Sequence, residues 1–166
     1  MADKLFQKST FAKFFRKWGF SKIKLNAGFA EVEFEPTDDD QTAAWELYVE
    51  LLTRITTQPL SEEDGDEKTA LDSIHSLFPT TRGILREKGR RAENFTKISI
   101  IVLNQVIRPF TAKWHKKELD GAFEDSEECK VFREELKALQ MDLINYTRML
   151  ADLAMVEDLT EMTEQA

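Results

Sequence analysis

The apolar positions of the chain fall into distinct rhythms, and the clearest runs through its last third. Phe132, Leu136, Leu139, Leu143, Tyr146, Leu150 and Leu153 recur at alternating steps of four and three. That spacing predicts one long helix with an unbroken apolar stripe, as in a helical bundle or a coiled coil. Asp125 or Ser126 can cap its start by accepting a free backbone N–H. Upstream, Ile98, Ile100, Ile101, Val102 and Leu103 point nearly all round a predicted helix over residues 92–107. A helix apolar on most sides is a buried one. Pro109 removes a helical hydrogen bond and crowds the preceding turn, so it should kink or restart this run. A shorter piece continues through Phe110 and Trp114 to about Leu119, where Asp120-Gly121 breaks it.

In the first half, Pro36 and Asp38-Asp39-Asp40 open a helix to about Thr57, with Trp45, Tyr48, Leu51, Leu52 and Ile55 on its apolar stripe. Acids at a helix start complement its dipole, and Pro59 closes the segment. After a polar acidic loop from Ser61 to Asp66, a helix is predicted from Glu67 to Phe78. Pro79 should break it, residues 80–88 resume it, and Gly89-Arg90-Arg91 turns the chain. Residues 3–18 read as a basic amphipathic helix built on Leu5, Phe11, Phe14, Phe15 and Trp18, stopped by Gly19. Lys22–Leu25 and Ala30–Glu35 alternate on either side of Asn26-Ala27-Gly28, which predicts a β-hairpin.

The expected architecture is therefore mainly α: a bundle of about four long helices, an N-terminal amphipathic helix and a small β-hairpin. Residues 1–156 should form one domain, with 1–35 as its basic appendage and 157–166 as a fraying acidic tail. The heptad stripe has three helical partners upstream, although the same stripe could serve a dimer.

Composition agrees with one globular domain: 166 residues, 42% hydrophobic and 33% charged. No apolar run approaches the roughly 20 residues that span a bilayer. The N-terminus lacks a secretory leader, and Cys129 is the single cysteine. Both point to a reducing, cytoplasmic setting.

The net charge of -8 argues at first against nucleic acid. It is, however, the remainder of four blocks. Residues 1–24 carry +6, residues 25–81 carry -12, residues 82–117 carry +8 and residues 118–166 carry -10. Such blocks either neutralise one another across packed helices or present charged faces to partners.

The most distinctive chemistry lies in residues 104–117. Arg108 and His115 flank Pro109 with six residues between them. Arginine holds phosphate through forked hydrogen bonds, and imidazole moves protons near neutral pH. This stretch resembles the HEPN superfamily of small helical bundles, whose signature is an Arg, four to six residues, then a His near a helix end. The resemblance implies a metal-independent ribonuclease in which Arg108 holds the scissile phosphate and His115 acts in proton transfer, commonly as a dimer pairing two motifs. Pro109 departs from the pattern, where a polar residue usually follows the Arg. The stretch also looks like small bacterial proteins encoded near defence genes.

Around this motif, Arg82, Arg86, Arg90, Arg91, Lys113, Trp114, Lys116 and Lys117 form the candidate binding set, with RNA or a nucleotide as ligand across residues 82–117. The competing expectation is that Phe110 and Trp114 bury a face while the cations pair with the acidic blocks. No metal or cofactor is expected. The Asp38–Asp40 run suits helix capping, and the loop from Glu62 to Glu67 lacks calcium-loop spacing. His75 reads as structural, Cys129 has no neighbouring histidine, and no phosphate-binding glycine motif occurs. Three functions follow. The first is an interaction or adaptor module binding another protein, or a second copy of itself, through charge-segregated surfaces. The second is a HEPN-like ribonuclease using Arg108 and His115. The third is peripheral membrane binding through residues 4–18.

Overall fold

The computed structural model describes residues 5–163. Mainly helical architecture with one small antiparallel strand pair is what it shows. The long C-terminal helix is α8, Ser126–Ala154, capped by the Asp125 carboxylate on the Glu127 N–H. Every member of its predicted heptad stripe is buried. The stripe packs chiefly along α3, Asp38–Leu52, so it is spent inside the chain. α3 also meets α5, Leu77–Lys88, and α6, Glu93–Val102. The remaining long elements are α4, Glu67–His75, and α7, Arg108–Leu119, which pack on each other.

Several boundaries differ from expectation for physical reasons. α3 stops at Leu52 because Thr56 and Thr57 donate their hydroxyls to the Leu51 carbonyl, closing the helix end with side chains. The expected break at Pro79 falls at Ser76 instead. Pro79 sits in the first turn of α5, where its missing N–H has no helical partner to lose. At Pro109 the run restarts as expected, α7 beginning at Arg108 with the proline in its first turn. Residues Leu103–Ile107 widen into a π-helical turn in which the Arg108 N–H reaches back to the Leu103 carbonyl. The wider turn absorbs the clash that a proline imposes on the carbonyl four residues earlier.

The N-terminal third departs most. Residues 3 and 4 of the expected first helix lie outside the described residues. The helix α1 begins only at Phe11 and runs to Lys17, with Thr10 as its N-cap accepting the Lys13 N–H. Before it, β1, Ser9–Thr10, pairs antiparallel with β2, Glu33–Phe34, in the register Ser9↔Phe34. The second expected strand is thus present, but its partner is not residues 22–25. The turn residues at 26–28 instead start a one-turn helix, α2, Ala27–Ala30, because Asn26 Oδ1 accepts the Phe29 N–H at 2.8 Å. Lys24 is held by a side chain rather than a strand: Gln105 accepts its N–H at 2.8 Å and donates to its carbonyl at 2.9 Å.

Phe11, Phe14 and Phe15 are buried, and Phe11 stacks on Phe34 and Phe29 with centroids 4.3 and 4.4 Å apart. Three aromatics of the face expected to dock on a membrane are therefore occupied by the core, while Leu5 of that segment stays exposed. The acidic tail is also tied down as far as Thr160. Tyr48 donates its hydroxyl to the Glu157 carbonyl and accepts the Leu159 N–H, and Thr160 is buried at the start of α9, Thr160–Thr163. No described helix is long and apolar enough to cross a membrane.

Candidate functional site

The packing of α4 on α7 brings together the two histidines of the chain. His75 ends α4 and His115 lies in α7; their rings meet edge to face with centroids 4.7 Å apart. His115 Nε2 stands 4.0 Å from Asp72 Oδ1, one turn before His75 on α4. The buried Phe78 ring at the start of α5 lies beside them, 5.7 Å from His75. Two guanidiniums sit on that ring. Arg108 Cζ is 4.8 Å and Arg82 Cζ 5.9 Å from its centroid. Cations are attracted to the negative face of an aromatic ring, so Phe78 acts as a platform that orders both arginines without neutralising them.

Local structure explains the aim of each group. Arg108 and His115 are seven residues apart on one helix, which places them on the same face two turns apart. The π-helical turn precedes Arg108, and Asn104 in it accepts the Arg108 Nε–H at 3.1 Å. On the other side, His75, Phe78 and Arg82 follow one another at steps of three and four. Burial depresses the basicity of His75, and the neighbouring His115, Arg82 and Arg108 depress it further; Asp72 opposes them. The neutral imidazole is favoured, which leaves a nitrogen able to accept a proton.

The rest of the expected binding set is placed differently. Trp114 is fully buried and donates its Nε1–H to Glu135 at 2.8 Å, so it offers no stacking face. Lys113 and Lys117 flank that indole and pair with Glu135 and Glu128, each at 2.5 Å. Arg91 pairs with Asp39 at 3.5 Å. Arg86, Arg90 and Lys116 are exposed and form no ion pair among the described residues.

Charge pairing across helices is general. Lys17 reaches Asp152 at 2.8 Å, Lys88 reaches Glu46 at 2.7 Å and Arg133 reaches Glu67 at 2.7 Å. The sequence blocks thus neutralise each other through the fold, and much of the expected segregation disappears. Among the described residues no group of three His, Cys, Asp or Glu is placed to hold a metal ion. The Asp40 carboxylate instead caps helices, as its sequence position suggested.

His75, Asp72 and Phe78 are the site residues that sequence reasoning missed. The three-and-four spacing of His75, Phe78 and Arg82 was visible, but nothing local announced that α7 would cross it. No protein-family model, no curated protein and no solved structure matches the chain.

Proposed function

We propose that the protein is an interaction module whose recognition face is formed by Arg82, Arg108, His75 and His115, and that its ligand is the phosphate backbone of an RNA strand. The observation that carries this reading is the fate of the basic block. Lys88, Arg91, Lys97, Lys113 and Lys117 are each engaged by a carboxylate; of the five cations of the block that are not, Arg86, Arg90 and Lys116 are scattered in solvent, whereas Arg82 and Arg108 are brought together on the Phe78 ring. Guanidiniums held over an apolar ring are poised for bidentate contact with phosphate oxygens.

Fluorescence anisotropy with a labelled single-stranded RNA tests it. Binding should weaken steeply with salt, because phosphate contacts release condensed cations. Arg82→Ala and Arg108→Ala should each weaken it roughly tenfold and lower the salt slope by about one. Salt-independent binding, or binding untouched by both changes, overturns the reading.

The His75–His115 contact favours a second reading, metal-independent RNA cleavage, in line with the resemblance of Arg108 and His115 to the HEPN motif. In it, His75 takes the proton of a ribose 2′-hydroxyl that attacks the adjacent phosphorus. Arg108 holds the phosphate, and His115 returns a proton to the departing 5′-oxygen, leaving a cyclic phosphate. Cleavage in a chelator that disappears in His115→Ala, while Arg82 and Arg108 still hold RNA with at most a few-fold weaker binding, is the expected result. Intact RNA after long incubation with the unmutated protein removes this reading and leaves the binding one standing.

A further inference from the structure

A shallow groove of about 480 Å³ runs between α3 and α5, and none of its lining residues belongs to the histidine site. On α3, Trp45 and Val49 stand one turn apart and remain 45% and 40% exposed. Across from them α5 contributes Pro79, Gly83 and Ile84. Two large apolar side chains of a core helix are thus left half open across from a wall in which Ile84 is buried and Gly83 has no side chain.

Gly83 makes the groove what it is. It lies in the middle of α5 with a negative φ, and a Cβ added there would meet nothing within 4 Å. Glycine in a helix interior costs stability relative to alanine. Gly65 shows the contrast: its Cβ would come within 2.3 Å of the Ser61 carbonyl, so packing demands glycine there. No contact inside the chain demands it at Gly83. The missing side chain lowers one wall of the groove and lets another backbone approach closely.

The rim is acidic where it faces solvent. Glu46 and Glu50 rise from α3 and Glu87 from α5. Their cationic partners lie deeper: the Lys88 side chain is 15% exposed against 33% for Glu46 and 69% for Glu87. Arg54, paired with Glu50, is likewise the less exposed member. Glu50 is matched by Arg54, but Glu46 and Glu87 share the single charge of Lys88, so the rim keeps a net negative charge beside the apolar floor.

We infer that this groove docks a basic amphipathic helix of a partner protein. Its aliphatic face lies on Trp45 and Val49, its backbone passes close at Gly83, and its Lys and Arg residues reach Glu46, Glu50 and Glu87. Helix-in-groove recognition uses anchors at such spacings. The inference is independent of the phosphate-binding reading.

The test uses the full chain and an amphipathic helical peptide of about 18 residues with leucine on one face and lysine on the other. Its twin carries glutamate for lysine. The lysine peptide should bind and shift the fluorescence of Trp45, a signal lost in Trp45→Phe; the glutamate peptide should not bind. Gly83→Gln changes no charge, so it separates docking in the groove from attraction to an acidic protein. It should weaken binding at least tenfold with the fold intact by circular dichroism. Gly83→Ala should raise the melting temperature. Should Gly83→Gln fail to fold, Val49→Glu is the second blocking variant. Lack of binding by the lysine peptide, equal binding of both peptides, or full affinity in the folded blocking variant each overturns the inference.

Discussion

Asp40 and Phe95 join the starts of two helices: the carboxylate in the first turn of α3 accepts the backbone N–H of Phe95 in the first turn of α6, at 2.9 Å. The same side chain accepts the Thr37 N–H at 2.9 Å, completing a capping box, and the Asn94 amide at 2.9 Å. α6 has Ala92 at its N-cap and no cap of its own, so the cap is supplied from α3. Asp40 is fully buried, and its loss would strand N–H groups away from water. Asp40→Ala should therefore cost roughly 2–4 kcal/mol by urea unfolding. Asp40→Asn, which keeps one accepting oxygen, should recover part of it. A change below about 0.5 kcal/mol for Asp40→Ala would show that the two helix starts do not depend on this group.

Arg133 fixes the acidic loop ahead of α4. Its guanidinium donates to Glu67 Oε1 at 2.7 Å and to the carbonyls of Ser61 and Gly65, each at 2.9 Å. That fork satisfies two loop carbonyls with one planar group, a geometry lysine cannot reproduce. Arg133→Ala should lose about 1–3 kcal/mol and open residues 61–66 to limited proteolysis. Arg133→Lys should be cut almost as fast. Equal protease resistance in both variants and the unmutated protein would count against the fork.

How much of this was written locally depends on the range of each interaction. The stripe from Phe132 to Leu153 predicted α8 because helix periodicity is a local signal, and each position is indeed buried. Turn residues were ambiguous for a physical reason: Asn26 can open a hairpin or cap a helix with the same side-chain oxygen, and burial of Phe29 on Phe11 favours the helix. Thr10 likewise both pairs in β1 and caps α1. The strand partner of Phe34 lies about two dozen residues back, beyond any turn signal. The candidate site divides the same way. Arg108 and His115 share one helix and could be read from spacing. His75 enters only because α4 packs on α7, which is tertiary information.

That histidine pair has a titration consequence. Burial first, and then the His115 ring, hold the His75 pKa below its ordinary 6.5. A base with a depressed folded pKa binds its proton less readily folded than unfolded. Its contribution to stability is complete above pH 6.5 and is lost as pH falls through the depressed folded value. The unfolding free energy should climb over that window, and His75→Asn should flatten the climb. In an NMR titration, His115→Gln should move the His75 midpoint back toward the ordinary value, as should Arg82→Gln to a lesser degree. A His75 midpoint at or above the ordinary value would contradict the packed geometry.

Glu135 supplies the opposite slope. Burial pushes its carboxyl up, but hydrogen bonds from Lys113 and the Trp114 indole outweigh that and hold it below the usual carboxylate range. An acid with a lowered folded pKa stabilises the fold above its ordinary range, and the contribution fades as pH falls through the folded value. The charge and the hydrogen bond can be separated. Glu135→Gln still accepts the Trp114 Nε1–H but cannot bear charge, and the lost pair with half-exposed Lys113 is worth about 1 kcal/mol or less. Glu135→Ala strands a buried indole N–H and should cost about 2–3 kcal/mol. Urea unfolding at pH 7 should therefore rank the unmutated protein just above Glu135→Gln and well above Glu135→Ala. The first two should converge only as the pH falls through the lowered folded value of Glu135, where protonation removes from the unmutated protein what the amide already lacks. If Glu135→Gln and Glu135→Ala are equally destabilised at pH 7, the ion pair rather than the indole hydrogen bond anchors α7 on α8.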